Sequence, residues 1–155
     1  MIKRLSNQKG IALIIECLII LIPLLIFYFA YLNQWGLQMR VNQAEHIKNY
    51  YLNRIRLEGY LSETDMMDLQ NKLDQAGFRL VKLSAPVQNP GLVGVDTSEC
   101  TVGRVLRKVN IEDPAEIASA TVWLKIEIQP KTGDLPEDVG PIRLTGRSLS
   151  ERVSP

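Results

Sequence analysis

Apolar residues follow three regimes along the chain. From residue 11 to 32, "IALIIECLIILIPLLIFYFAYL", they are nearly continuous, interrupted by one residue of the Asp, Glu, Lys and Arg set, Glu16, and one proline, Pro23. As a helix this run is about 33 Å long, enough to cross a bilayer. From residue 33 onwards the spacing becomes periodic. Leu37, Val41, Ala44, Ile47, Tyr51 and Ile55 recur every three or four positions, and Gln43, Lys48, Asn49 and Arg56 are assigned to the opposite face. No proline interrupts this stretch, and Gly36 and Gly59 only weaken it. The pattern predicts one long helix from about residue 11 to about 58, apolar all round and then amphipathic. A hinge at Gly36 would split it in two.

Beyond residue 60 the periods shorten. Ser62 is placed to cap a second helix, with Asp65 three residues on as an imperfect capping box. Met66, Leu69, Leu73 and Ala76 form one face of it, and Gly77 ends it. "FRLVKLSA" alternates as a strand, with Arg79, Val81 and Leu83 on one face and Phe78, Leu80 and Lys82 on the other. "NPGLVGVDTSE" reads as a loop and "CTVGRVLRKVN" as a further strand. "DPAEIAS" reads as one helical turn, with Asp113 as cap and Pro114 at its first position. "TVWLKIEIQ" is the strongest strand, with Val122, Leu124, Ile126 and Ile128 on one face. "PKTGDLPEDVGP" is a loop, and "IRLTGRSLSER" closes the chain as a strand with Ile142, Leu144 and Gly146 on one side. The expected fold is α+β: a long helix, a short helix, and a three- to four-stranded antiparallel sheet covered by the amphipathic half of the long helix.

The length of 155 residues suits one domain plus an anchor, and a net charge of +1 gives no footprint for nucleic acid. Lys3, Arg4 and Lys9 precede the apolar run, so its N-terminus is expected in the cytoplasm and the bulk of the chain outside. Phe27, Tyr28, Phe29, Tyr31 and Trp35 crowd the far end, where an aromatic belt would lie. A cleaved secretory signal fits less well. The run is longer than such signals need, and Tyr28 stands two residues before the late Ala30, where a small residue belongs. A lipoprotein signal ending at Cys17 fits worse, because Ile14, Ile15 and Glu16 precede that cysteine. The expected organisation is a cytoplasmic basic leader (1–10), a transmembrane helix (11–32), an amphipathic extension (33–60) and an extracytoplasmic α+β domain (61–155).

Candidate chemistry is sparse. No nucleophile elbow, phosphate-binding loop or His-Glu pair at metal spacing is present. "GLVGVD" has two glycines without the flanking strand and helix that a phosphate loop requires. His46 is a lone histidine on a polar helix face, and Cys17 and Cys100 lie too far apart in the predicted layout to bridge, so no zinc set is offered. "EDPAE" reads as a capped, solvated turn and "RVLRK" as a basic strand edge, while Tyr50, Tyr51 and Tyr60 read as packing residues. The expectation is a protein without catalytic residues, metal or cofactor. Glu16 is the exception to this blandness. A carboxylate in hydrocarbon costs roughly 3 kcal/mol or more, so Glu16 reads either as a glutamate near the interface that snorkels or is protonated, or as one paired with a positive group on a neighbouring helix.

The residues "KGIALIIE" followed by "IPLL" resemble the amino-terminal segment of type IV pilin-like proteins, and most of all the TadE-like pseudopilins of tight-adherence systems. The stretch "RLEGYLSETDMMDLQNKLDQAGFRLVKLS" also looks like small single-pass TadE-like proteins found beside secretion or conjugation genes. The resemblance implies cleavage between Gly10 and Ile11 by a prepilin peptidase. It also implies that Glu16 pairs with a neighbouring subunit's α-amine to set helix register, and that Pro23 bends the helix. Glu16 stands sixth after Gly10, where the family's glutamate is normally fifth, and Ile11 stands where Phe, Met or Ala is common. The implied function is a structural or assembly subunit of a Tad-like pilus or secretion apparatus. Its partners would be the lipid bilayer, neighbouring pilin-like subunits, platform proteins and the peptidase. The rival function is a membrane-tethered binding module that does not polymerise.

Overall fold

The structure, a computed structural model, describes residues 2–107, 113–131 and 140–152, with side chains from Leu13 onward. The chain divides into two compact units, Met1–Met39 and Arg40–Pro155, which are described separately.

The first unit is helix alone. Helix α1 spans Ile2–Glu58, so it includes most of the segment expected as a leader and passes Pro23 and Gly36 unbroken. Proline forfeits one backbone bond, and a single glycine costs about 1 kcal/mol. Neither outweighs the propagation of so long a helix.

The second unit is built on the last part of α1. Its terminus is fixed by Gly59, whose φ of +80° is open to glycine and whose N–H donates to the Ile55 carbonyl at 2.7 Å. Helix α2 (Glu63–Gln75) begins at Ser62, which accepts the Asp65 N–H at 3.2 Å and donates its hydroxyl to the Asp65 carboxylate at 2.8 Å. Glu63 and Asp65 in the first turn complement the helix dipole. Gly77, at φ +85°, closes it with an N–H to the Asp74 carbonyl.

Strands β1 (Phe78–Ser84), β4 (Thr121–Pro130) and β5 (Ile142–Leu149) form an antiparallel sheet in the order β1-β4-β5. Between β1 and β4 lie β2 (Pro86–Val87), β3 (Thr101–Val102) and helix α3 (Pro114–Ser119). Asp113 caps α3 by accepting the Ala115 N–H at 2.9 Å. The fold is therefore α+β, with one long helix, a short helix and a three-stranded antiparallel sheet.

Three expectations are corrected. The alternation in β1 breaks at a bulge between Leu80 and Lys82, so Phe78, Leu80 and Leu83 are all buried and Val81 is not opposite a β4 residue. The Val81 carbonyl and Leu83 N–H instead bond Asp96, at 2.9 Å each. Among its described residues "CTVGRVLRKVN" supplies the two-residue strand β3, which pairs in parallel with β2 rather than extending the antiparallel sheet. Its residues 108–110 lie outside the described residues, as do 132–139 of the expected loop "PKTGDLPEDVGP". Finally, Lys48 lies on the core face of α1, not opposite it. Its spacing places it there: Ala44, Lys48, Tyr51 and Ile55 follow at four, three and four, and all are buried.

Ala44, Tyr51 and Ile55 of α1, Met66, Leu69 and Leu73 of α2, and Val122, Leu124, Ile126 and Ile128 of β4 make one core cluster. Each large aliphatic side chain buried there contributes about 1.5–3 kcal/mol relative to exposure. The stripe of α1 and the inward face of β4 therefore account for the cover that the sheet required.

Candidate functional site

Two places can carry function, one in each unit. In the first, every large apolar side chain from Leu13 to Trp35 is exposed, including Phe27 at 77 %. Among the described residues this is the one helix long and apolar enough to cross a membrane. Glu16 and Cys17 are exposed in the same stretch. At 100° per residue, Glu16, Ile20, Pro23, Phe27 and Ala30, spaced four and three apart, lie along one line of α1. Pro23 has no N–H to give the Ile19 carbonyl, so a second polar group is freed one turn beyond Glu16. Gly10 and Ile11 lie within α1 as backbone; the Ile11 side chain is outside the described residues. The arrangement is an exposed apolar helix surface with a carboxylate at one level.

In the second unit the outer face of the sheet is polar. Lys82, Ser84, Glu99, Lys125, Glu127, Arg143 and Thr145 line a shallow cleft of about 310 Å³. Its charges are largely matched. Lys82 contacts Glu99 at 2.6 Å and Asp96 at 3.6 Å, and Arg143 pairs with Glu127. The hydrogen bond from Lys82 holds the Glu99 carboxyl below its ordinary range, and the same bond raises Lys82. Asp96 is lowered by the side-chain and backbone hydrogen bonds of Ser98, with Lys82 adding to the effect. The Ser84 hydroxyl is committed to the Glu99 carbonyl at 3.2 Å. Such a surface suits electrostatic contact with a polar partner.

The remaining candidates are structural in their surroundings. Among the described residues no cluster of three or more His, Cys, Asp or Glu is placed to hold a metal ion. His46 lies on the helix surface beside Asn42, Glu45 and Asn49. Cys17 and Cys100 are free thiols; Cys100 donates to the Leu83 carbonyl at 3.4 Å, and burial raises its pKa. In "EDPAE", Asp113 is spent on the α3 cap, and Glu112 lies outside the described residues. In "RVLRK", Arg104 stacks on Tyr60 at 4.7 Å and the Arg107 N–H bonds the Arg152 carbonyl, while Lys108 lies outside the described residues.

Sequence reasoning missed a staple between the two helices. Tyr51 is fully buried, and its hydroxyl donates to Asp68 at 2.5 Å. Lys72 bonds Asp68 at 3.0 Å and lies over the rings of Tyr50 and Tyr51, at 4.9 and 5.3 Å. Burial, then the Asp68 bond, pushes the Tyr51 phenol up to about 12. The bonds from Tyr51 and then Lys72 hold Asp68 below the usual carboxylate range, and Asp68, then Tyr51, raise Lys72. The available signal was Asp68 and Lys72 at four-residue spacing on α2. Nothing in the sequence placed Tyr51 between them.

No protein-family model matches the chain, and neither a curated protein nor a solved structure matches it.

Proposed function

We propose that the chain is a single-pass membrane protein, a pilin-like structural or assembly subunit of a Tad-type pilus or secretion apparatus. Residues 11–32 cross the bilayer, the N-terminus faces the cytoplasm and the C-terminal unit lies outside. The observation that supports this most is the composition of α1. One helix carries an exposed apolar stretch holding Glu16 and Pro23, and its last turns form the core helix of an α+β unit. In hydrocarbon, Glu16 would specify which neighbour packs and at what level more than it would add stability. Pro23 would bend or loosen the helix that does the packing. Prepilin peptidase, platform proteins and sibling subunits are the partners this role requires.

The test replaces Glu16 with alanine in the cell that makes the apparatus. Assembly should fail while the monomer remains in the membrane fraction; unchanged assembly sinks the pairing role. Co-expression with a prepilin peptidase and N-terminal sequencing reads cleavage at Gly10 separately.

The charged cleft on the outer sheet face favours a second reading, a tethered module that docks a polar envelope partner through Lys82, Lys125 and Arg143. That reading requires binding to survive Glu16→Ala and to be lost on reversing those three charges.

A further inference from the structure

The antiparallel sheet has two edges, and they differ. At β1 a loop closes the edge: the Val81 carbonyl and the Leu83 N–H bond Asp96, at 2.9 Å each. The other edge is β5. The Ser150 N–H donates to the Ala120 carbonyl at 2.9 Å, one step beyond the Thr121–Leu149 pair. Antiparallel pairing alternates, so Ser148, Gly146, Leu144 and Ile142 also turn their backbone groups to β4. The N–H and C=O groups of Arg143, Thr145, Arg147 and Leu149 then turn to the open side. The Thr145 carbonyl follows this direction, since it takes the Lys48 ammonium at 3.1 Å. Among the described residues, no other backbone group closes this side of Arg143, Arg147 or Leu149. Past the strand, the Glu151 N–H meets the Arg56 carbonyl at 2.8 Å.

We infer that β5 takes an extended acidic segment of another protein as a fourth antiparallel strand, with carboxylates opposite Arg143 and Arg147. Main-chain bonds to an open edge supply affinity in such additions, and alternate side chains supply specificity. Here the alternate outer side chains are Arg143, Thr145 and Arg147, all exposed. Arg143 shares Glu127, while Arg147 makes no ion pair among the described residues. The same two cations disfavour a second copy of β5. A two-fold pair centred on Thr145 would set each Arg143 opposite an Arg147, and like charges directly opposite are destabilising. A strand bearing carboxylates at those two positions replaces repulsion with attraction. The edge lies wholly in the Arg40–Pro155 unit and is independent of how the apolar stretch of α1 packs.

A peptide of sequence Thr-Glu-Val-Thr-Val-Glu-Thr, blocked at both ends, tests this on the full chain in detergent. Paired antiparallel, it sets its glutamates opposite Arg147 and Arg143 and its valines opposite Gly146 and Leu144. At saturation, hydrogen exchange at the Arg143 and Arg147 N–H groups should slow about tenfold, while Leu144 and Gly146, already bonded to β4, should not change. Methylating the two glutamate nitrogens should abolish binding, and methylating the two valine nitrogens should not. Arg147→Glu should weaken the peptide about tenfold, and lysine in place of the peptide's first glutamate should restore binding to that variant. Binding that ignores which nitrogens are methylated would be a contact through side chains alone and would overturn strand addition. Absence of binding would overturn it as well. So would slowed exchange at Arg147 that grows with chain concentration in the absence of peptide, the mark of a second copy on this edge.

Discussion

Gly146 of β5 lies directly against Leu52 of α1: a Cβ at position 146 would stand 2.7 Å from Leu52 Cδ2 and 3.6 Å from Lys48 Cε. The helix rests on this strand because the strand offers no side chain there. Overpacking of this kind typically costs 1–3 kcal/mol. Leu52 can yield by turning its side chain, so Gly146→Ala should cost about 1 kcal/mol and Gly146→Val about 2–3 kcal/mol by that scale. Thermal unfolding of the detergent-solubilised chain reads both. Leu52→Ala should recover part of the loss in the Gly146→Ala background and be destabilising by itself. Additive losses would show that the two residues do not press on one another.

Gly59 should tolerate even less. Its φ is +80°, and a Cβ there would run into the backbone carbonyl of Val105. The Val105 N–H also donates to the Gly59 carbonyl at 2.8 Å, so the two backbones are held together. Backbone cannot move aside as Leu52 can. Gly59→Ala is expected to cost more than Gly146→Ala, about 3 kcal/mol when a left-handed penalty of 1–2 kcal/mol is joined by the clash. Equal losses at the two glycines would argue against this contrast.

Lys48 marks another site where α1 is tied to the sheet. Its ammonium donates to the Thr145 carbonyl at 3.1 Å and contacts Glu45 at 3.4 Å, with the residue 4 % exposed. Lys48→Met keeps the apolar stem and removes the donor, so the loss should be about 1 kcal/mol, the net worth of one hydrogen bond. Lys48→Glu turns a donor into a buried acceptor facing a carbonyl and should cost at least 3 kcal/mol. A Lys48→Glu chain as stable as Lys48→Met would mean that the side chain swings into solvent.

Lys48 also shows what could be read in the sequence and what could not. Periodicity found α1, and cap residues found α2 and α3, because Ser62, Asp113 and Gly77 act through bonds to near neighbours in sequence. The face of β4 was legible because Val122, Leu124, Ile126 and Ile128 keep a strict period of two. Lys48 sits on the stripe by spacing, yet its charge argued for solvent. The partner that makes burial tolerable, Thr145, is 97 positions away. The bulge in β1 was hidden for a similar reason: Asp96, which bonds its outer edge, lies in a loop. At the candidate site the legible part was the position of Glu16 in an apolar run. The matched charges of the cleft were not legible, since Asp96 and Glu99 reach Lys82 from a loop and Arg143 meets Glu127 across two strands.

The staple of Tyr51, Asp68 and Lys72 gives a pH dependence whose sign follows from its shifts. The Tyr51 phenol titrates at about 12 in the folded chain, against about 10 when unfolded. Between those values the folded state keeps a proton that the unfolded state has released. The stability this contributes is complete below pH 10 and is lost as pH rises through about 12. Lys72, also raised, loses its contribution in the same direction at high pH. Asp68 behaves oppositely. Its lowered folded value gives stability that is present above the ordinary carboxylate range and is lost as pH falls through the folded value. Tyr51→Phe removes the phenol and one hydrogen bond to a carboxylate, so it should cost about 1–2 kcal/mol near pH 7. It should also flatten the alkaline limb of a stability profile more than the acid limb, while Asp68→Asn should flatten the acid limb. Profiles of the wild-type and variant chains that stay parallel from pH 9 to pH 12 would show that Tyr51 does not hold its proton on Asp68.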